Sequence, residues 1–134
     1  MTTSHDFGSR NVPAHQHLNG GGWVADTATV AETAYVGPDA QVYGNAWVYG
    51  DAWVSGTARV YGHARVYGHA WVYGNAWVND NARVFGDAMV FDNAWVYDNA
   101  WVSGHAQVFG DAQVDGNAQV SGNAVVDGHA RVSK

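Results

Sequence analysis

Between Val24 and Val132, valine recurs at every sixth position without exception, and alanine does the same from Ala28 to Ala130. Few features limit a chain more. A six-residue period matches neither the 3.6 of a helix nor the plain alternation of a strand. It matches a short strand followed by a corner. In Trp-Val-Tyr the central Val points one way and its neighbours the other. The Gly-Asn, Gly-Asp and Gly-His pairs that follow are turn formers, because Gly and Asn accept positive φ. The phrase is V-x-G-[N/D/H/T]-A-x, said twice in VYGNAWVYGDAWV, Val42 to Val54. Asp replaces the Gly at 80, 92 and 98, and Pro replaces it at 38.

Small apolar residues at every inward slot suit a narrow core. Three six-residue sides close a triangle of 18 residues, and such coils stack at about 4.8 Å per rung. Residues 24–131 supply about six coils, a rod of roughly 29 Å. The sequence therefore predicts an all-β fold, a triangular parallel β-solenoid. LNGGGW, Leu18 to Trp23, fits the same frame, whereas VPAHQH, Val12 to His17, fits it poorly. The expected organisation is an N-terminal arm or cap over 1–17 and a repeat domain over 18–134.

The phrase resembles the hexapeptide-repeat family, and closest in style the short noncatalytic repeat proteins of bacteria and phages. The resemblance implies a left-handed parallel β-helix. It implies also a tendency to trimerise, with rods parallel. The family more often sets Gly directly after the aliphatic residue; here Gly comes one place later. Its enzymes are mostly acyltransferases, which place a catalytic His beside a loop thrown out between coils. The frame here runs from 24 to 132 without an insertion. His63, His69, His105 and His129 occupy corner slots shared with Asn and Asp. A general base needs a shaped pocket and an orienting partner, and corner positions on a smooth prism offer neither. The enzyme class thus leans to none.

Outward positions 18 apart stack into columns. Trp47, Arg65, Arg83 and Trp101 share one side with Tyr49, Tyr67 and Phe85. Trp53, Trp71 and Met89 share the next with Tyr73, Phe91 and Phe109. Trp77 and Trp95 lie on the remaining side, near Tyr43, Tyr61 and Tyr97. Aromatic ladders stabilise sheets by cross-strand packing and cation–π contact. Exposed Trp, Tyr and Arg are also typical interface anchors, so these columns are the candidate binding sites for a protein or a glycan. After Phe109 the outward positions turn polar, Gln113 and Asp115 among them, and the last two coils read as solvent-facing. One corner alternates Asp51, His69, Asp87 and His105, suggesting a charge-balanced ladder; another, Asn45, His63, Asn81, Asn99 and Asn117, suggests an Asn ladder. Asp80 and Asp98 are like-charged vertical neighbours that could attract a cation.

His15 and His17 form an H-x-H pair near the N-terminus, and three copies about a threefold axis would offer six nitrogens to a metal ion. No other cofactor is implied. With no Cys, disulfides and thiolate-held zinc are excluded. The formal charge of −6 argues against phosphate-driven nucleic-acid binding, while leaving an acidic DNA-mimic inhibitor as an alternative. No apolar run is long enough to span a membrane, and MTTSHDFGSR has no apolar leader core. Cytoplasmic synthesis is expected, with incorporation into a virion as a further option. Bare strand edges at the ends of a β-helix invite association, so a homo-oligomer is expected, either a trimer or an end-to-end assembly.

Overall fold

A computed structural model describes residues 3–8 and 11–134. The prism is built from two- and three-residue strands, each closed by a turn. Three sheets form its sides. The first side carries the inward Val24, Val42, Val60, Val78, Val96, Val114 and Val132; the second begins at Val30 and the third at Val36. All contacts between coils are parallel, and vertical partners are 18 residues apart, as in Trp47 over Arg65 and Arg65 over Arg83. Among the described residues there is no helix. The all-β triangular solenoid of about six coils stands as the repeat predicts.

The six-residue frame follows from what fits inside. From Val36 to Val114 every inward Val is fully buried, and so is every Ala from Ala34 to Ala112. Each coil bonds to the next through the backbone, with the N–H of residue i donating to the C=O of i+17: Trp47 to Ala64 at 2.9 Å, Tyr49 to Val66 at 3.0 Å. The corner Gly is required by geometry. Gly44 has φ 65°, and a Cβ there would stand 2.9 Å from the Gly62 nitrogen.

The N-terminal residues are not a coil. Strands β1 (Ser4–Asp6) and β2 (Asn11–Gln16) pair antiparallel, and β2 pairs antiparallel with β3 (Trp23–Ala25), extending the first side past its parallel rungs. Phe7, Ala14 and Ala25 form a small second core there, with Phe7 stacked on Tyr43 at 4.9 Å. Residues 17–22 then cross the end of the third side. Asn19 accepts the Val36 N–H at 3.0 Å, and Gly22 donates to the Val36 carbonyl at 2.9 Å. This corrects the frame at Leu18. It falls in the valine slot by spacing, yet its side chain is 97% exposed, because the crossing segment has left the coil path. The repeat proper begins at Val24. Of the segment assigned to an arm, residues 1, 2, 9 and 10 lie outside the described residues.

Because each inward slot is closed on all sides, packing errors cannot be relieved locally. Val78→Ala is expected to cost about 2–3 kcal/mol through lost burial plus a cavity. Ala76→Leu should cost a comparable amount by overpacking. Urea unfolding followed by far-ultraviolet circular dichroism checks both; a loss below measurement error for either would contradict the closed core.

Candidate functional site: the outward ladders

Strand alternation sets the outward columns. With Val inward, the residues on either side of it must face out. On the second side, Trp47, Arg65, Arg83 and Trp101 lie in vertical register. The Arg65 guanidinium sits over the Trp47 ring at 5.4 Å and Arg83 over Trp101 at 5.2 Å. Beside them Tyr49, Tyr67 and Phe85 stack at 4.8 and 5.0 Å, within 5° of parallel. On the third side Tyr35, Trp53 and Trp71 stack at 4.4 and 5.5 Å, and Met89 continues that column. Tyr73, Phe91 and Phe109 stack at 4.9 and 4.8 Å. On the first side Trp77 and Trp95 are tilted at 48°, 5.4 Å apart, and Arg59 lies over Trp77 at 5.5 Å. All of these candidate binding residues thus fall into the columns that the spacing of 18 assigns.

Their exposure is uneven. Trp47, Trp53, Trp71, Trp95 and Trp101 remain 37–44% exposed, while Trp77 is half-buried. The Tyr and Phe that follow each Val are half-buried as well. Burial, helped by Tyr43 and Asp80, pushes the Tyr61 phenol up to about 12. Tyr73 is also raised, by burial first and then Asp92. These phenols therefore stay protonated at neutral pH.

The rings also use up one another's faces. Tyr67 has Tyr49 on one side and Phe85 on the other; Trp53 lies between Tyr35 and Trp71. A ring stacked on both sides presents its edge outward.

At the corners three expectations change. Asp80, Asp92 and Asp98 take the left-handed conformation of the Gly they replace, with φ of 57–59°. Each carboxylate accepts a backbone N–H from the coil above: Asp80 from Asp98, Asp98 from Gly116, Asp92 from Gly110, all at 3.2 Å. The like charges of Asp80 and Asp98 are thus each offset by a donor that the repeat provides. The amide ladder forms on the corner after the third side. There Thr57 donates to Asn75, Asn75 to Asn93 at 3.4 Å, and Asn93 to Asp111 at 3.3 Å. Among the described residues, Asn45, Asn81, Asn99 and Asn117 make no such chain. The alternating His and Asp resolve into separate pairs, His69 with Asp51 at 3.7 Å and His105 with Asp87 at 3.6 Å. Both are exposed, and such pairs contribute little.

His15 and His17 each have a separate partner. The His15 Nδ1 is 2.8 Å from an Asp26 oxygen, and the His17 Nε2 is 2.8 Å from the Ala34 carbonyl, where His17 is buried. His63 lies in a groove of about 360 Å³ with Asp80, Asn81, Asp98 and Asn99. It has no side-chain hydrogen bond among the described residues, so nothing there orients it as a base.

Sequence reasoning missed Asp115. Its slot faces outward, yet the residue is only 3% exposed. Arg131, one coil on, folds over it: Nη2 donates to Oδ2 at 2.6 Å and Nε to Oδ1 at 3.3 Å. The Arg131 hydrogen bond outweighs burial and holds the Asp115 carboxyl below its ordinary value. The signal was available in the 16-residue offset of Asp and Arg, which places them diagonally on one side.

Three stretches, residues 40–56, 58–74 and 82–98, match the family model described as the YdcK Beta solenoid repeat. Each is nearly one coil, and together they cover under half of the chain. The chain is similar to that repeat family in the region where the aromatic ladders are densest. No curated protein and no solved structure matches it.

The Asp115–Arg131 pair yields a pH signature. A carboxyl lowered by folding adds stability that is complete above its unfolded value, about 4. That stability is lost as pH falls through the lower folded value. Asp115→Asn should therefore lower the thermal midpoint at pH 7, and the gap to the parent protein should narrow as pH drops below about 4. Calorimetry over that range checks it; a gap independent of pH would assign the loss to packing instead.

Proposed function

We propose that this protein is a noncatalytic β-solenoid of the hexapeptide-repeat kind, a rigid module that assembles with protein partners, copies of itself included, through its aromatic sides. The observation that carries this reading is the set of five tryptophans left 37–44% open on an uninterrupted frame. Two of them, Trp53 and Trp71, stack in one column, and exposed apolar patches of that sort commonly mark docking sites. Indole and phenol rings held rigidly in ladders lose little conformational entropy on docking.

Ring geometry favours a protein surface over a sugar. A pyranose stacks on a free aromatic face, and here the faces of Tyr67 and Trp53 are taken by their vertical neighbours. Protein side chains can meet ring edges and fill the spaces between columns. The acidic residues weigh against mimicry of DNA, since Asp80, Asp92 and Asp98 turn carboxylate oxygens toward the next coil's backbone. Acyl transfer would need a base oriented by a partner in a pocket; His63 lines a groove without a partner among the described residues, while His15, His69 and His105 pair with Asp but stand exposed.

Two measurements test the reading. Calorimetry with acetyl-CoA and longer acyl-CoA donors should give no saturable heat and no turnover; both together would overturn the noncatalytic assignment. Acrylamide quenching of tryptophan fluorescence should fall on going from dilute to concentrated protein, as covered indoles become shielded. Quenching that stays unchanged while the mass in solution rises would place the contact away from the aromatics.

A further inference from the structure

The three sides differ in charge. The second carries Arg65 and Arg83, and the first Arg59. Between Tyr35 and Phe109, the outward positions of the third side hold no charged residue. They present Trp53 and Trp71, 43% and 42% exposed, with Met89 above them and Tyr73, Phe91 and Phe109 alongside. Depletion of charge in the middle of an apolar patch marks the core of an interface, and a polar rim completes it.

The rim suggests what occupies the patch. The corner before the third side carries Asp51, His69, Asp87 and His105; the corner after it carries Thr57, Asn75, Asn93 and Asp111. If two copies face each other about a twofold axis along the rod, residues at equal height meet across the two corners. Asp51 then opposes Thr57, His69 opposes Asn75, Asp87 opposes Asn93, and His105 opposes Asp111. If the axis runs across the rod, His69 opposes Asp87 and Asp51 opposes His105. With the axis across the rod, midway between the coils of Trp71 and Met89, each of these histidines meets a carboxylate and no like charges oppose; with it along the rod, Asp92, which precedes Asn93, would approach Asp87. The second side fails this comparison. At the same height of an axis across the rod, Arg65 would oppose Arg83.

We propose that the third side is a self-docking surface, on which a second copy of this chain closes a twofold, face-to-face dimer. The proposal rests on the reading of the aromatic sides as docking surfaces, and it names which side and which partner. A twofold contact uses the same patch on both copies, which is what a self-complementary rim provides.

The area sets the strength. A Trp offers roughly 250 Å² at most, so Trp53 and Trp71 each leave about 100 Å² open. With the flanking rings and rim, the contact falls at the low end of stable interfaces, about 1,200 Å² in total. The dimer should therefore dissociate on dilution.

Light scattering across a series from micromolar to near-millimolar protein tests this. The expected mass rises from 14.3 kDa toward twice that value. Trp71→Glu, which sets a charge at the patch centre, and Ser55→Arg, which puts a bulky charge at a small outward position, should each weaken association at least tenfold. Trp101→Glu on the second side should leave it unchanged. Circular dichroism verifies that each variant is folded, and Ser55→Arg removes no aromatic stacking. A wild-type mass fixed at 14.3 kDa, a threefold mass, or a dimer indifferent to both third-side variants would overturn the proposal. If Trp101→Glu alone breaks the assembly, docking through aromatics stands and the choice of side falls. If the parent protein stays monomeric, the choice of a second copy falls, and the noncatalytic reading is decided separately by the acyl-CoA measurement.

Discussion

Everything in this molecule depends on one contact repeated along the rod: a backbone N–H donating to the carbonyl of the residue 17 places on, above a side chain no larger than valine. The hydrogen bonds fix the rise between coils, and the narrow interior fixes the length of each side. Together they leave three variable slots per hexad, the outward residues before and after Val and the polar corner residue. The two outward choices are not coupled to the core. Polar residues and aromatics can therefore occupy those slots on the same frame, as Gln113 and Trp95 do in vertical register. Such a fold adds stability coil by coil, through neighbours only.

That separation explains what was legible in the sequence. The frame was, because every buried Val and Ala from 34 to 114 had to obey a single steric rule. The columns were as well, since 18 residues per coil assigns Trp47 to Arg65 and Trp53 to Trp71 by counting alone. The frame misled at Leu18, where spacing is satisfied but the chain path has changed. Nothing in a periodic pattern shows that the path has left the coil. Only the hydrogen bonds of Asn19 and Gly22 to Val36 show that 17–22 runs over the end of the third side.

The corners were harder for a different reason. A column of Asn, Asp and His can be satisfied upward, sideways or by water, and composition does not choose. The amide chain formed at Thr57, Asn75 and Asn93, not along Asn81, Asn99 and Asn117. Likewise the pairing of Asp80 with a backbone N–H depends on its left-handed φ, which turns the carboxylate toward the next coil. Asp115 was misjudged because outward position was equated with exposure. A long Arg one coil on can cover a short carboxylate, since its aliphatic stem reaches diagonally across the sheet.

The aromatic ladders remain the part that geometry does not demand, and their arrangement limits the reasons for them. Were they present only to stiffen the rod, a uniform distribution over the three sides and all the coils would serve best. Instead the charges are sorted. Arg59, Arg65 and Arg83 lie over Trp77, Trp47 and Trp101 on two sides, where cation–π contact ties each guanidinium to the surface. The third side has stacked rings and Met89 with no cation at all. Stacking energy within a column would tolerate an arginine there as well as on the other two. Exclusion of charge gains nothing for an isolated rod in water; it gains something when the side is to be dehydrated, because burying a guanidinium without a partner is costly. The sorting of arginine among the three sides is therefore the feature that the proposed docking of the third side accounts for and that stiffening of the rod does not.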